Sequence, residues 1–83
     1  MNKILLLNII QSLTPSMAKN LSYKYNIPFN EYEISIFLPY IKQNASYLIK
    51  LNDPSKKIYE DFYNKISIDS INKLILILRR LGI

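Results

Sequence analysis

Eighty-three residues, 9.8 kDa and a net charge of +5 describe a chain that fits one domain, 1–83, and no more. There is no cysteine and no histidine, and only one glycine. A disulfide framework, a thiolate nucleophile and a Cys-based zinc site are therefore excluded, and the commonest general base and metal ligand are both missing. So little glycine also argues against a many-turned β architecture and a Gly-rich phosphate loop.

The first helix is expected from about Lys3 to Leu13, apolar on most sides. Lys3 ahead of the run Ile4 to Ile10, with Ser16-Met17-Ala18 beyond, has the outline of a secretory signal, but Asn8 breaks the run and Gln11 and Ser12 end it. No stretch reaches the roughly 20 apolar residues of a membrane span, and the cytoplasm is the expected location. Thr14 and Pro15 then cap and open a second helix, expected to reach about Tyr25. Asn26-Ile27-Pro28-Phe29 is a break, because Pro28 pushes Ile27 out of the helical region.

Asn30 starts the third helix with the pattern of a capping box, Glu33 standing three residues on. Phe29 and Ile34 stand at the positions of a hydrophobic staple. Ile34, Phe37, Leu38 and Ile41 follow the helical repeat. Pro39, inside that repeat, should kink or divide the helix. Between Asn44 and Asn52, Tyr47, Ile49 and Leu51 alternate with Leu48 and Lys50, which favours an irregular or short extended connection over a helix continued through Ala45, Leu48 and Ile49. Asp53-Pro54 opens a fourth helix, expected to reach about Lys65 and to bury Ile58, Phe62 and Ile66. Ser67 caps the last helix, with Ile66 and Ile71 as a second staple and Ile68, Ile71, Leu74, Ile75 and Leu78 as its core stripe. Arg79 and Arg80 complement the carbonyl end of its dipole, and Gly82 stops it.

The fold class is thus all-α: four or five short helices in a small orthogonal bundle. By the scaling of surface with mass, folding buries about 64% of the unfolded chain's area, enough for one modest core and not for a large preformed substrate cavity. No small-molecule substrate and no cofactor is implied.

Four constellations bear on function. The carboxylates come first, since acid–base chemistry would otherwise fall to Lys and Tyr. Glu31 and Glu33 point apart on a helix, as do Glu60 and Asp61. Glu33, Asp53 and Asp69 sit at helix starts, where capping explains them. No catalytic or metal-binding pair emerges, and no enzymatic activity is expected.

Second, Lys19 to Ile41 reads as a helix-turn-helix-like centre. Ser22 takes the small position, Asn26 the left-handed turn position and Ile27 the apolar position that follows. The start of its second helix, which would meet base edges, carries Glu31 and Glu33 and no cation before Lys42, so a phosphate-lined groove would repel it.

Third, the excess of base fits weak, sequence-tolerant nucleic-acid binding through Lys19, Lys24, Lys56, Lys57, Arg79 and Arg80, with tyrosines such as Tyr23, Tyr59 and Tyr63 to stack on bases. The same excess fits an AT-rich coding sequence, since Asn, Ile, Lys and Tyr make up nearly half the chain.

Fourth, the first and last helices carry more apolar residues than so small a core can absorb. The first offers Ile4, Leu5, Leu6, Leu7, Ile9 and Ile10; of these Ile4, Leu6, Leu7 and Ile10, with Leu76 and Ile77 outside the last helix's stripe, are the candidates for a protein partner or a homodimer, the alternative being burial within the chain's own core. Association with a partner is the leading expectation for function.

The stretches LTPSMAKNLSYKYNI, FNEYEISIFLPYIKQN and NDPSKKIYEDFYNKIS together resemble a family of short bacterial proteins described as a domain of unknown function, one member of which is encoded beside an endonuclease IV gene. The resemblance runs from Leu13 to Leu81 and rests on spacing, the Tyr-Asn-Ile turn and the Asn-Asp helix start. Pro39 and the Ala-Ser-Tyr stretch depart from the pattern. It implies a small all-helical cytoplasmic protein, carries over no functional residue, and its gene neighbour leans towards nucleic-acid metabolism.

Overall fold

Side chains at the helix starts set most of the architecture. In the computed structural model, which describes residues 2–83, Asn2 opens α1 (Lys3–Ser12) by accepting from the backbone N–H groups of Ile4 and Leu5. Thr14 Oγ1 accepts from Met17 N to start α2 (Pro15–Lys24), with Pro15 at the first turn. The capping box of α3 (Glu31–Leu48) is complete: Asn30 Oδ1 accepts from Glu33 N at 2.8 Å, and Glu33 Oε1 accepts from Asn30 N at 2.9 Å. Ahead of α4 (Ser55–Phe62), Asp53 Oδ1 accepts from the N–H and hydroxyl of Ser55. Ser67 Oγ accepts from Ser70 N at the start of α5 (Ile68–Arg80).

The helix ends are equally local. After α2 and after α5 the chain turns through a left-handed residue, Asn26 at φ 59° and Gly82 at φ 92°. In both cases the two bonds of a Schellman motif close the end: Asn26 N to Tyr23 O with Ile27 N to Ser22 O, and Gly82 N to Arg79 O with Ile83 N to Leu78 O. Past α4 the chain makes a type II turn, with Tyr63 at φ −53° and ψ 127°, Asn64 at φ 58°, and Lys65 N bonded to Phe62 O.

Two expectations are corrected, and of the two outcomes expected at Pro39 one is ruled out. The segment from Asn44 is helical as far as Leu48, not extended. Ala45 and Leu48 are fully buried on the stripe that Phe37 and Ile41 begin, so burial at helical spacing overrides the short alternation. Pro39 does not divide α3, which runs unbroken from Glu31 to Leu48. Pro39 and Ser35, whose carbonyl loses its partner N–H, both lie on the exposed face, where water can substitute. Finally α4 stops at Phe62, three residues early, because Asn64 takes the left-handed turn.

α1 and α2 both pack on α3, and α4 packs on α5. Lys3 Nζ donates to Ile49 O and Gln11 Nε2 to Lys42 O, so α1 runs antiparallel to α3. The core joins Leu6 and Ile10 of α1, the buried stripe of α3, Ile58 and Phe62 of α4, and Ile71, Leu74, Ile75, Ile77 and Leu78 of α5. Phe29, Phe37, Phe62 and Tyr40 form an aromatic chain through it, with successive ring centroids 5.6, 5.3 and 4.6 Å apart. The accessible surface is 5416 Å², close to the area expected for this mass.

Candidate interaction surfaces

The six apolar residues singled out in the first and last helices divide sharply. Leu6, Ile10 and Ile77 are buried in the protein's own core, so as docking residues they are corrected. Leu7 is half-buried against that core. Ile4 stands 72% exposed and Leu76 43%. Leu5 and Ile9, counted in the apolar surplus of the first helix but not among its six docking candidates, are 53% and 38% exposed. At about 100° per residue, Ile4, Asn8, Ser12, Leu5 and Ile9 span an arc of about 140° on the outward side of α1. All five are exposed. The polar pair Asn8 and Ser12, one turn apart, lies in the middle of that arc and is the signal in α1 that marks its outward side.

On α5 the expected stripe is shifted as well. Ile68 is exposed and Ile77 is buried. Ile68, Asn72 and Leu76 make an outward row at helical spacing, and the Tyr59 hydroxyl donates to Asn72 Oδ1 across the α4–α5 pair.

Where α1, α2, α3 and α5 meet, a cavity of about 60 Å³ remains. Its rim is formed by the half-buried Leu13, Ala18, Leu21, Leu38 and Leu81. The only polar side chain in its wall is Ser22, whose hydroxyl donates to Lys19 O and accepts from Phe29 N.

The cations singled out as nucleic-acid candidates lie on α2, at the start of α4 and at the end of α5. Lys19 and Lys24 lie on α2, where Lys19 faces the exposed Glu31 at 3.9 Å. Lys50 lies in the α3–α4 connection and Lys56 and Lys57 in the first turn of α4 that follows it, while Arg79 and the exposed Arg80 end α5. Lys3 bonds the carbonyl next to Lys50, Lys57 Nζ stands 5.9 Å over the Tyr47 ring, and Arg79 acts on Asp53 from the far end of α5. Lys57 is held by Asp61 at 2.8 Å.

In the helix-turn-helix-like centre, Ser22 and Ile27 are buried and Asn26 is left-handed, as that reading expects. The outward start of α3 presents Glu31, Tyr32, Ser35 and Pro39 and offers no cation to a phosphate.

Two polar clusters are built into the fold. Glu33, 3% exposed, accepts from Lys73 Nζ and from Ser70 Oγ, each at 2.6 Å, besides the Asn30 backbone. Lys73 also lies 5.0 Å over the Phe29 ring. Burial pushes the Glu33 carboxyl up, but these hydrogen bonds and the Lys73 charge outweigh it and hold the group below its ordinary value. The Tyr40 hydroxyl donates to Asp61 Oδ2 at 2.6 Å, and burial, then that bond and the Asp61 charge, raise it well above the ordinary tyrosine range. For Asp61, burial raises the carboxyl and the bonds from Lys57 and Tyr40 lower it further than burial raises it. Both carboxylates have their charge matched inside the cluster, and neither cluster lines the cavity. No group of three potential metal ligands occurs among the described residues, and none of their helices is long and apolar enough to cross a membrane.

Comparison with protein-family models, with curated proteins and with solved structures finds no match to this chain.

Proposed function

We propose that this chain is a non-enzymatic protein-interaction module that works through the outward face of α1. The observation that carries the reading is the exposure of Ile4, Leu5 and Ile9 together on one arc of a helix whose other side is already buried. The two polar clusters support it by contrast. Their carboxylates are engaged with neighbours in the fold, as in structural links, and they front no substrate-sized space. The cytoplasm is the compartment proposed, and membership of the family of short bacterial proteins it resembles is part of the same proposal.

The test is retention of partners on the immobilised chain, with identification by mass, before and after Leu5→Lys. Leu5 is exposed, so the substitution should remove partners and leave helicity intact. Unchanged retention with Leu5→Lys would count against the α1 face. Charge placed at Leu6 or Ile77 would unfold the core instead and is no test of association.

A second reading, weak nucleic-acid binding, is favoured by Lys50, Lys56 and Lys57 in and just after the α3–α4 connection, with Lys3 bonded to the Ile49 carbonyl beside them. It predicts affinity for single-stranded nucleic acid that falls steeply with salt. No binding at low salt, or a response flat in salt, excludes it.

A further inference from the structure

The two edges of the outward arc of α1 differ. At about 100° per residue, Gln11 stands about 20° beyond Ile4, and its side chain donates to Lys42 O. Lys3, at the start of the helix, donates to Ile49 O, the carbonyl beside Lys50. The Ile4 edge therefore borders the second half of α3, with Lys42 beside the end of α1 and Lys50 beside its start. The opposite edge is apolar. Leu13 follows Ile9 by one turn and belongs to the rim of the cavity.

No carboxylate balances the cationic edge. Neither α1 nor the stretch 34–52 contains Asp or Glu. Asp53, next along the chain, is taken up by Ser55. Among the described residues Lys19, Lys57 and Lys73 stand in ion pairs, whereas Lys3, Lys42 and Lys50 stand in none. The face thus matches a partner that is apolar along one edge and acidic along the other.

Three kinds of occupant fail that description. A second copy brings the same unbalanced lysines to this face, and its net charge of +5 opposes the approach. A nucleic acid brings phosphates but no aliphatic surface, and α1 holds no aromatic ring for a base to stack on. An anionic bilayer brings both charge and apolar surface, yet Asn8 and Ser12 lie in the middle of the arc and would enter the acyl boundary with it. A polypeptide offers hydrogen-bonding groups to the exposed Asn8 amide, and acyl chains offer none.

We propose that the outward face of α1 receives an acidic amphipathic helix of another protein. Its apolar stripe covers Leu5 and Ile9 and runs to the Leu13 rim, and its carboxylates reach Lys42 and Lys50 across the Ile4 edge. α1 is about 15 Å long, so the contact takes about three turns of the partner. The inference rests on the reading of the chain as a protein-interaction module and names the chemistry of its partner.

The experiment is fluorescence anisotropy of a labelled synthetic helix titrated with the whole chain. The probe has about 18 residues, long enough to be helical alone, with Leu at i, i+3, i+4 and i+7 and Glu along one flank. A control helix carries Lys in place of Glu. The acidic probe should bind, and the control at least about tenfold more weakly. Lys42→Glu combined with Lys50→Glu should weaken the acidic probe about tenfold. Lys24→Glu combined with Lys65→Glu changes the net charge equally but lies outside α1 and α3, and should alter binding less than about twofold. Leu5→Asn should weaken the probe about tenfold and leave the helical circular-dichroism signal intact.

An acidic probe that does not bind, or that binds the Lys42 and Lys50 variant as it binds the wild type, overturns the inference. Binding to phosphatidylglycerol vesicles but not to the probe, lost with Leu5→Asn, overturns it in favour of a lipid contact. If the inference fails while Leu5→Lys still removes retained protein partners, the broader reading survives; if no partner is retained either, both fail.

Discussion

The hydroxyl of Ser70 donates to the carboxylate of Glu33 at 2.6 Å across a separation of 37 residues. Through that bond the capping box of α3 and the cap of α5 share one anion, since Ser67 Oγ, which caps α5, lies 3.0 Å from Ser70 Oγ. Replacing Glu33 by Gln keeps the size but leaves Lys73 without its counter-charge and weakens three bonds at once. Unfolding in urea should show a loss of about 2–4 kcal/mol for Glu33→Gln. A loss below about 0.5 kcal/mol, the scale of an ordinary surface change, would show that the buried link is energetically idle.

The pH profile follows from the same groups. Glu33 and Asp61 titrate below their ordinary values of 4.5 and 3.8 in the folded protein. Their stabilisation is therefore complete above those ordinary values and is lost as pH falls through the lower folded-state values. Tyr40 is shifted the other way, so its contribution is complete below the ordinary 10.0 and declines as pH rises above it. With no histidine in the sequence, stability should be level between about pH 5 and pH 9. Denaturant midpoints measured across pH check this, and a step near pH 6.5 would contradict it.

Asn26 and Asn64 hold left-handed backbone with φ 59° and 58°. Glycine adopts that region freely, so Asn26→Gly and Asn64→Gly should each be neutral or stabilise by up to about 1 kcal/mol. Gly82→Ala should destabilise by about 1 kcal/mol through conformation alone, because an added Cβ at φ +92° meets nothing within 4 Å. Thermal melts of the three variants should separate into these two directions.

Leu48 is fully buried at the last turn of α3. Leu48→Ala should cost about 2–5 kcal/mol, whereas Tyr47→Ala, next to it and half exposed, should cost less than about 1 kcal/mol. A larger cost for Tyr47→Ala than for Leu48→Ala would argue for an alternating rather than a helical burial pattern here, with Tyr47, Ile49 and Leu51 turned inward.

Helix starts were legible in the sequence because their signals are local. Thr14, Asn30 with Glu33, and Ser67 each act within three residues, and all three caps form as expected. The stretch after Asn44 was not legible, because Tyr47, Ile49 and Leu51 alternate locally while Ala45 and Leu48 belong to a stripe set by distant helices. The same limit applies to the candidate surface. Ile4 and Leu76 face outward as expected, but Leu6, Ile10 and Ile77 face inward, and in α1 only the single polar pair Asn8 and Ser12 marks the outward side of a helix otherwise apolar nearly all round. Nor does spacing show that Lys73 would meet a carboxylate 40 residues away.

α1 is held to the rest of the fold by Leu6, Ile10 and the partly covered Leu7, with one side-chain bond at each end, from Lys3 and Gln11 to carbonyls of α3. That is a thin attachment for a three-turn helix. Its amides should exchange with solvent through a partial opening that costs less than global unfolding, while α3 and α5, joined through Glu33, keep their protection to the full unfolding free energy. Such an opening would pull Ile10 and Leu13 away from the cavity wall, so whatever covers the outward side of α1 would also slow the exchange of its inward side.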